Sequence, residues 1–167
     1  MRVCYEFDSK GPVKLPIQYN HILQGLIYDH ISDAALRHFL HEEGFDINNR
    51  RYKMFTFSRL EGRFNMNRDK GTIEFQPPLK MTLSSAMDVL IEDLSEAFMK
   101  SNHLSLLGQP MYLSAIKVMP RPSISDRLKV KMLSPVVVYS TGKNMEKTIT
   151  YYYSPMEANF SKIIEEG

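Results

Sequence analysis

Five side chains in this chain can move a proton near neutral pH: His21, His30, His38, His41 and His103. Imidazole suits that work because its pKa lies near neutrality. None of the five stands in an HxxxH or HExxH spacing, and no CxxC occurs, so no metal site is spelled out. His38 and His41 are three apart and can share a helix face, without a third ligand in view. GxGxxG, phosphate-loop and GxSxG signatures are also missing, which disfavours nucleotide-dependent chemistry and a serine-hydrolase elbow. What remains is imidazole beside phenolic and cationic groups. That set fits scission of RNA, which carries its own nucleophile in the 2′-hydroxyl. Histidine can take or give the proton. A lysine can hold the charge that builds on the phosphate, and a tyrosine can donate a hydrogen bond or position the 2′-hydroxyl.

The elements that must position such groups can be read from periodicity. MRVCYEFD alternates Val3, Tyr5 and Phe7 against Arg2, Cys4 and Glu6, a half-buried strand with Cys4 expected as a small core residue. After the break at Lys10-Gly11-Pro12, Ile22, Leu23, Leu26, Ile27 and Ile31 predict a helix from about Ile17 to Ile31. Ser32 or Asp33 can cap a second helix, which Gly44 ends near His41–Glu43. YKMFTFSRLEGRFNM and TIEFQPPLKMTLS read as strands around a turn, with Pro77-Pro78 arguing against an uninterrupted central strand. Ser84 or Ser85 should open a helix to about Asn102, and MYLSAIKVM is another strand. The order β-α-β-β-α-β predicts an α+β, ferredoxin-like domain with helices on one face of an antiparallel sheet. Pro120-Arg121-Pro122-Ser123 marks a boundary, giving domains 1–122 and 123–167. Beyond it come two strand segments and a short helix from Pro155 to Ile164, the start of a second sheet.

Net charge is only +2, yet it is segregated. From Arg50 to Lys70 seven basic residues face two acidic ones, and from Lys117 to Lys131 five face one. Such segregation lets part of a nearly neutral protein attract phosphates, subject to salt; solvated strand faces are the plainer explanation. Apolar runs fall far short of the roughly 20 residues of a membrane helix, and Glu6 and Asp8 interrupt any signal-peptide core. The single cysteine cannot form an intrachain disulfide, which fits a reducing cytoplasm.

LPIQYNHILQGLIYDHI (Leu15–Ile31), FLHEEGF (Phe39–Phe45) and YKMFTFSRL (Tyr52–Leu60) closely resemble the CRISPR-associated endoribonucleases that cut precursor CRISPR RNA within its repeats, members of the repeat-associated mysterious protein superfamily. The likeness extends more weakly to MYLSAIKVM, to LSPVVV and to Ser154-Pro155-Met156-Glu157. Carried over residue by residue, it implies that Tyr28, His41 and Lys53 are catalytic. It also implies cleavage of repeat RNA by 2′-hydroxyl attack with neither metal nor cofactor, leaving a 2′,3′-cyclic phosphate and a 5′-hydroxyl. Residues 123–167 would then begin a second ferredoxin-like domain. Family members usually complete that domain and end in a glycine-rich loop, whereas this sequence stops at Gly167. The exposed half-sheet is therefore expected to pair with another chain, as a homodimer or within a CRISPR effector complex.

Arg50, Arg51, Arg59 and Arg63 are candidate phosphate contacts. His38 and His30 rival His41 as the proton carrier. Tyr151-Tyr152-Tyr153 cannot form one stacking platform if it lies in a strand, since alternate residues point oppositely. Two other readings stand beside the nuclease: a non-catalytic repeat-RNA-binding subunit, and a ferredoxin-like regulatory module with no salt-dependent affinity for RNA.

Overall fold

A computed structural model describes residues 1–47, 50–121, 137–144 and 147–166. The chain divides into two compact units, Met1–Pro122 and Ser123–Gly167. The first contains β1 (Arg2–Asp8), β2 (Val13–Pro16), α1 (Asn20–Asp29), α2 (Ala34–His38) and a π-helical turn (Phe39–Glu43). It continues through β3 (Phe45–Ile47), β4 (Arg50–Tyr52), β5 (Phe55–Phe57), β6 (Glu61–Asn67) and β7 (Thr72–Ser85). The last elements are α3 (Asp88–Lys100), β8 (Leu104–Leu106) and β9 (Gln109–Met119).

β1 lies between β7 and β9, antiparallel to both, and β6 pairs with the far side of β7. The order β6-β7-β1-β9 is that of a ferredoxin-like sheet, its second, third, first and fourth strands side by side. Alternation on β1 buries Val3, Tyr5 and Phe7 in one core with Leu79, Met81 and Leu83 of β7. Leu23, Leu26 and Ile27 of α1 and Leu90, Ile91, Leu94 and Phe98 of α3 complete it. The Tyr5 and Phe98 rings meet edge to face at 5.2 Å, and the Tyr5 hydroxyl is satisfied by Ser95 Oγ at 2.8 Å. Cys4, expected in the core, falls on the opposite face of β1 and is half-buried, because the period of two sends it away from the helices.

Three further expectations need correction. Helix α1 begins at Asn20 rather than Ile17, since Val13–Pro16 is drawn into strand pairing, Leu15 opposite Ile73, and Ile17 N–H donates to the Gly71 carbonyl at 3.0 Å. Helix α3 starts at Asp88, not at Ser84 or Ser85, because β7 runs on to Ser85 to pair with Phe55. Ser85 still shapes the turn, its hydroxyl accepting from Met87 N–H at 2.9 Å and donating to the Met54 carbonyl at 2.9 Å. Finally, β7 passes straight through Pro77-Pro78. On one side the prolines fall between the stretch paired with β2 (Thr72–Phe75) and the stretch paired with β1 (Leu79–Ser84). On the other they face the register shift of β6. Their missing N–H groups therefore remove no ladder bond.

In the second unit, β10 (Val138–Asn144) and β11 (Lys147–Tyr153) form an antiparallel hairpin, followed by α4 (Ala158–Glu166). Tyr139 pairs across with Tyr152, their rings 6.0 Å apart, while Tyr151 opposes Ser140 in the next register position. The segment around Ser134-Pro135 and the basic residues Arg127, Lys129 and Lys131 lie outside the described residues. No helix among the described residues is long and apolar enough to cross a membrane.

Candidate active site

The site is built on the connection between the first helices and the sheet. Asp33 caps α2, its carboxylate accepting from Ala35 N–H at 2.8 Å and Leu36 N–H at 3.0 Å. The helix then widens into the π-helical turn at Phe39–Glu43, a local form often found at functional sites. Leu40 is fully buried and anchors that turn, a burial that stabilises the fold by about 1.5–3 kcal/mol. Its neighbour His41 stays exposed. Gly44 closes the turn with φ +71°, and a Cβ there would stand 2.9 Å from the Tyr52 carbonyl oxygen; only glycine fits. The β3–β4 hairpin then sets Phe45 opposite Tyr52 and returns the chain to the turn.

By this route Lys53 arrives with its Nζ donating to the His41 carbonyl at 2.6 Å. Tyr28, on the last turn of α1, approaches from the core side. Its ring lies edge-on to the His41 imidazole at 5.3 Å and to Phe55 at 5.9 Å. Its hydroxyl donates to the Leu40 carbonyl at 3.3 Å. Burial pushes the Tyr28 phenol above its ordinary pKa, partly offset by hydrogen bonding with Gln24. It is therefore a protonated O–H donor at neutral pH. His41 Nδ1 lies 2.7 Å from Glu42 Oε1. The hydrogen bond from His41, and then its charge, hold the Glu42 carboxyl below the usual range.

Tyr28 and His41 line an open cleft of about 740 Å³, together with His21, Gln24, Arg37 and His38. Lys53 lines a neighbouring cleft of about 540 Å³ with Tyr52, Phe55 and Ser85. Of the residues lining the first cleft, His21, Gln24 and Arg37 are not among the site candidates read from the sequence, although the spacing of two of them carries a signal. His21 lies seven residues before Tyr28 on α1, and Arg37 four before His41, both spacings that share a helix face.

Of the rival histidines, His38 lines the same cleft, with Nε2 4.0 Å from Glu43 Oε1. His30 is engaged elsewhere, its Nδ1 2.9 Å from the Leu26 carbonyl and its ring against Phe98. Among the candidate phosphate contacts, Arg51 reaches the turn and donates to the Glu42 carbonyl at 3.3 Å. Arg59 and Arg63 are exposed along β5–β6 and join none of the cluster's contacts. The Arg50 side chain lies outside the described residues. Among those residues, no group of three or more His, Cys, Asp or Glu is placed to hold a metal ion.

The family model described as "CRISPR-associated protein Cas6, N-terminal" matches residues 14–117, and "CRISPR associated protein Cas6, C-terminal" matches residues 119–167. The CRISPR-associated endoribonuclease Cas6 of Pyrococcus furiosus is 28% identical over 163 residues, covering 95% of this chain and 58% of its own length. CRISPR-associated endoribonuclease Cas6 1 of Methanocaldococcus jannaschii is 23% identical over 162 residues, covering 96% and 61%. The chain thus spans about six-tenths of the length of the curated relatives it matches. Two solved structures share the fold at TM-score 0.75. One, titled "An RAMP protein binding different RNA substrates", is 21% identical and is covered over 68% of its length by 99% of this chain. The other, titled "Characterization of a Cas6-related gene from Pyrococcus furiosus", is 19% identical, with coverage of 67% and 99%.

Proposed function

The chain belongs to the Cas6 family of CRISPR-associated proteins, and from that premise we propose that it is a metal-independent endoribonuclease cutting precursor CRISPR RNA within its repeats. The observation that carries this reading is the cluster itself: an imidazole edge-on to a buried phenol, on a turn that an ammonium grips by its backbone. In the proposed reaction the 2′-hydroxyl loses its proton and its oxygen attacks the adjacent phosphorus. The bond to the 5′ oxygen breaks, and that oxygen gains a proton. The products are a 2′,3′-cyclic phosphate and a 5′-hydroxyl, and no water is consumed. His41 carries the proton. Tyr28, a phenol protonated at neutral pH, positions the 2′-hydroxyl by exchanging its bond to the Leu40 carbonyl for one donated to the RNA. Lys53 stabilises the charge on the phosphorane-like transition state.

Residues 1–122 are proposed as the catalytic domain and 123–167 as the start of the second. Arg50, Arg51, Arg59 and Arg63 would hold RNA phosphates, which makes affinity fall as salt rises. The reaction is assigned to the cytoplasm, where the one cysteine remains a free thiol. Two partners belong to this reading: an effector complex, which the matched CRISPR names motivate, and a second copy of this chain, which would pair with the exposed half-sheet of the second unit. A single monomer peak on size-exclusion chromatography at high concentration would count against the second copy.

The reading is tested by incubating the protein with a panel of repeat RNAs in EDTA and identifying the ends of any products. Continued cutting, with cyclic phosphate and 5′-hydroxyl termini, is expected. Chelator-sensitive cutting, or 5′-phosphate termini, would overturn it.

A further inference from the structure

We infer that Glu42 is a positioning residue for His41: its carboxylate engages Nδ1, fixes the imidazole tautomer and leaves Nε2 as the nitrogen that exchanges protons with RNA. The inference rests on the proposed role of His41 and adds a second residue to it.

Consecutive residues on an α-helix do not face each other. In the π-helical turn they do here, with Glu42 Oε1 2.7 Å from His41 Nδ1. A carboxylate only accepts, so Nδ1 must carry the hydrogen, and in neutral imidazole Nε2 then holds the free lone pair. Among the described residues Nε2 has no protein hydrogen-bond partner, while the His41 ring lines the open cleft. The edge-on Tyr28 ring packs against the imidazole, so bond and packing together define its orientation.

Other charges converge on this turn from each neighbouring element. Lys53 binds the His41 carbonyl and Arg51, from β4, binds the Glu42 carbonyl. Arg37 and His38 of α2 and His21 and Asp29 of α1 line the same cleft, and Glu43 is directed to His38. Asp29 and Glu43 make no hydrogen bond to the imidazole, so Glu42 is the carboxylate that orients it. Both members of the pair are well exposed, 63% for His41 and 61% for Glu42. An exposed pair contributes little to folding, which separates a positioning role from a structural one.

The test uses the full chain and a repeat RNA that it cleaves, in single-turnover reactions from pH 5 to 9, for the wild type, Glu42→Gln, Glu42→Ala and His41→Ala. Losing the carboxylate should slow cleavage about tenfold near neutral pH, a part of what a general acid–base group supplies, with RNA affinity unchanged. Nitrogen-15 NMR of the free protein should find the His41 proton on Nδ1 in the wild type and redistributed towards Nε2 in Glu42→Ala. Wild-type rates and tautomer in both Glu42 variants would overturn the inference and leave the catalytic reading standing, provided His41→Ala is inactive. Full activity in His41→Ala would remove the reading itself.

Discussion

Replacing His41 with alanine is expected to slow single-turnover RNA cleavage by about 10²–10⁴-fold, the contribution typical of a positioned general acid–base group. The melting temperature and RNA affinity should hardly change. His41 is mostly exposed, and among the described residues its ring's polar and aromatic partners are Glu42 and Tyr28, so its removal opens no cavity. The turn keeps its Leu40 anchor, and Lys53 binds the His41 backbone carbonyl, which alanine also has. Any large loss of rate is then a loss of chemistry. His38 is the internal control, since it lines the same cleft one turn earlier. His38→Ala should keep most of the activity. Activity retained in His41→Ala but lost in His38→Ala would move the proton-transfer role along the helix.

Much of the scaffold is legible in the sequence because it follows simple periods. The alternation of Val3, Tyr5 and Phe7 and the stripes through Leu23–Ile27 and Leu90–Phe98 lead directly to the buried faces observed. The misjudged boundaries depend on partners far away in sequence. Leu15 becomes strand because Ile73 is opposite it, and Ser85 stays strand because Phe55 is opposite it. Pro77-Pro78 is tolerated because no strand presents a register position there.

The local form of the site is harder to read. FLHEEGF looks like the end of an ordinary helix, and a π-helical turn has no hydrophobic period of its own. The approach of Lys53 to His41 depends on the β3–β4 hairpin, whose three-residue strands are too short to alternate visibly. The His41–Glu42 bond runs against the rule that adjacent helical residues diverge. It was therefore beyond spacing arguments. His21 and Arg37, by contrast, stood at readable intervals from Tyr28 and His41.

The largest effect of all concerns the substrate. If Tyr28, His41 and Lys53 act on a 2′-hydroxyl, they have no other nucleophile to activate, and no arrangement of the site replaces it. A repeat RNA with 2′-hydrogen in place of the one 2′-hydroxyl beside the scissile phosphate keeps its phosphates and its other hydroxyls. It should bind with nearly the same affinity, because phosphate contacts dominate that affinity. The decisive measurement is single-turnover cleavage of this substrate beside its all-ribose counterpart, in EDTA. The all-ribose RNA should be cut and the substituted RNA should stay intact at that position. Cutting of both at the same site would show an external nucleophile at work and contradict the assignment of this cluster.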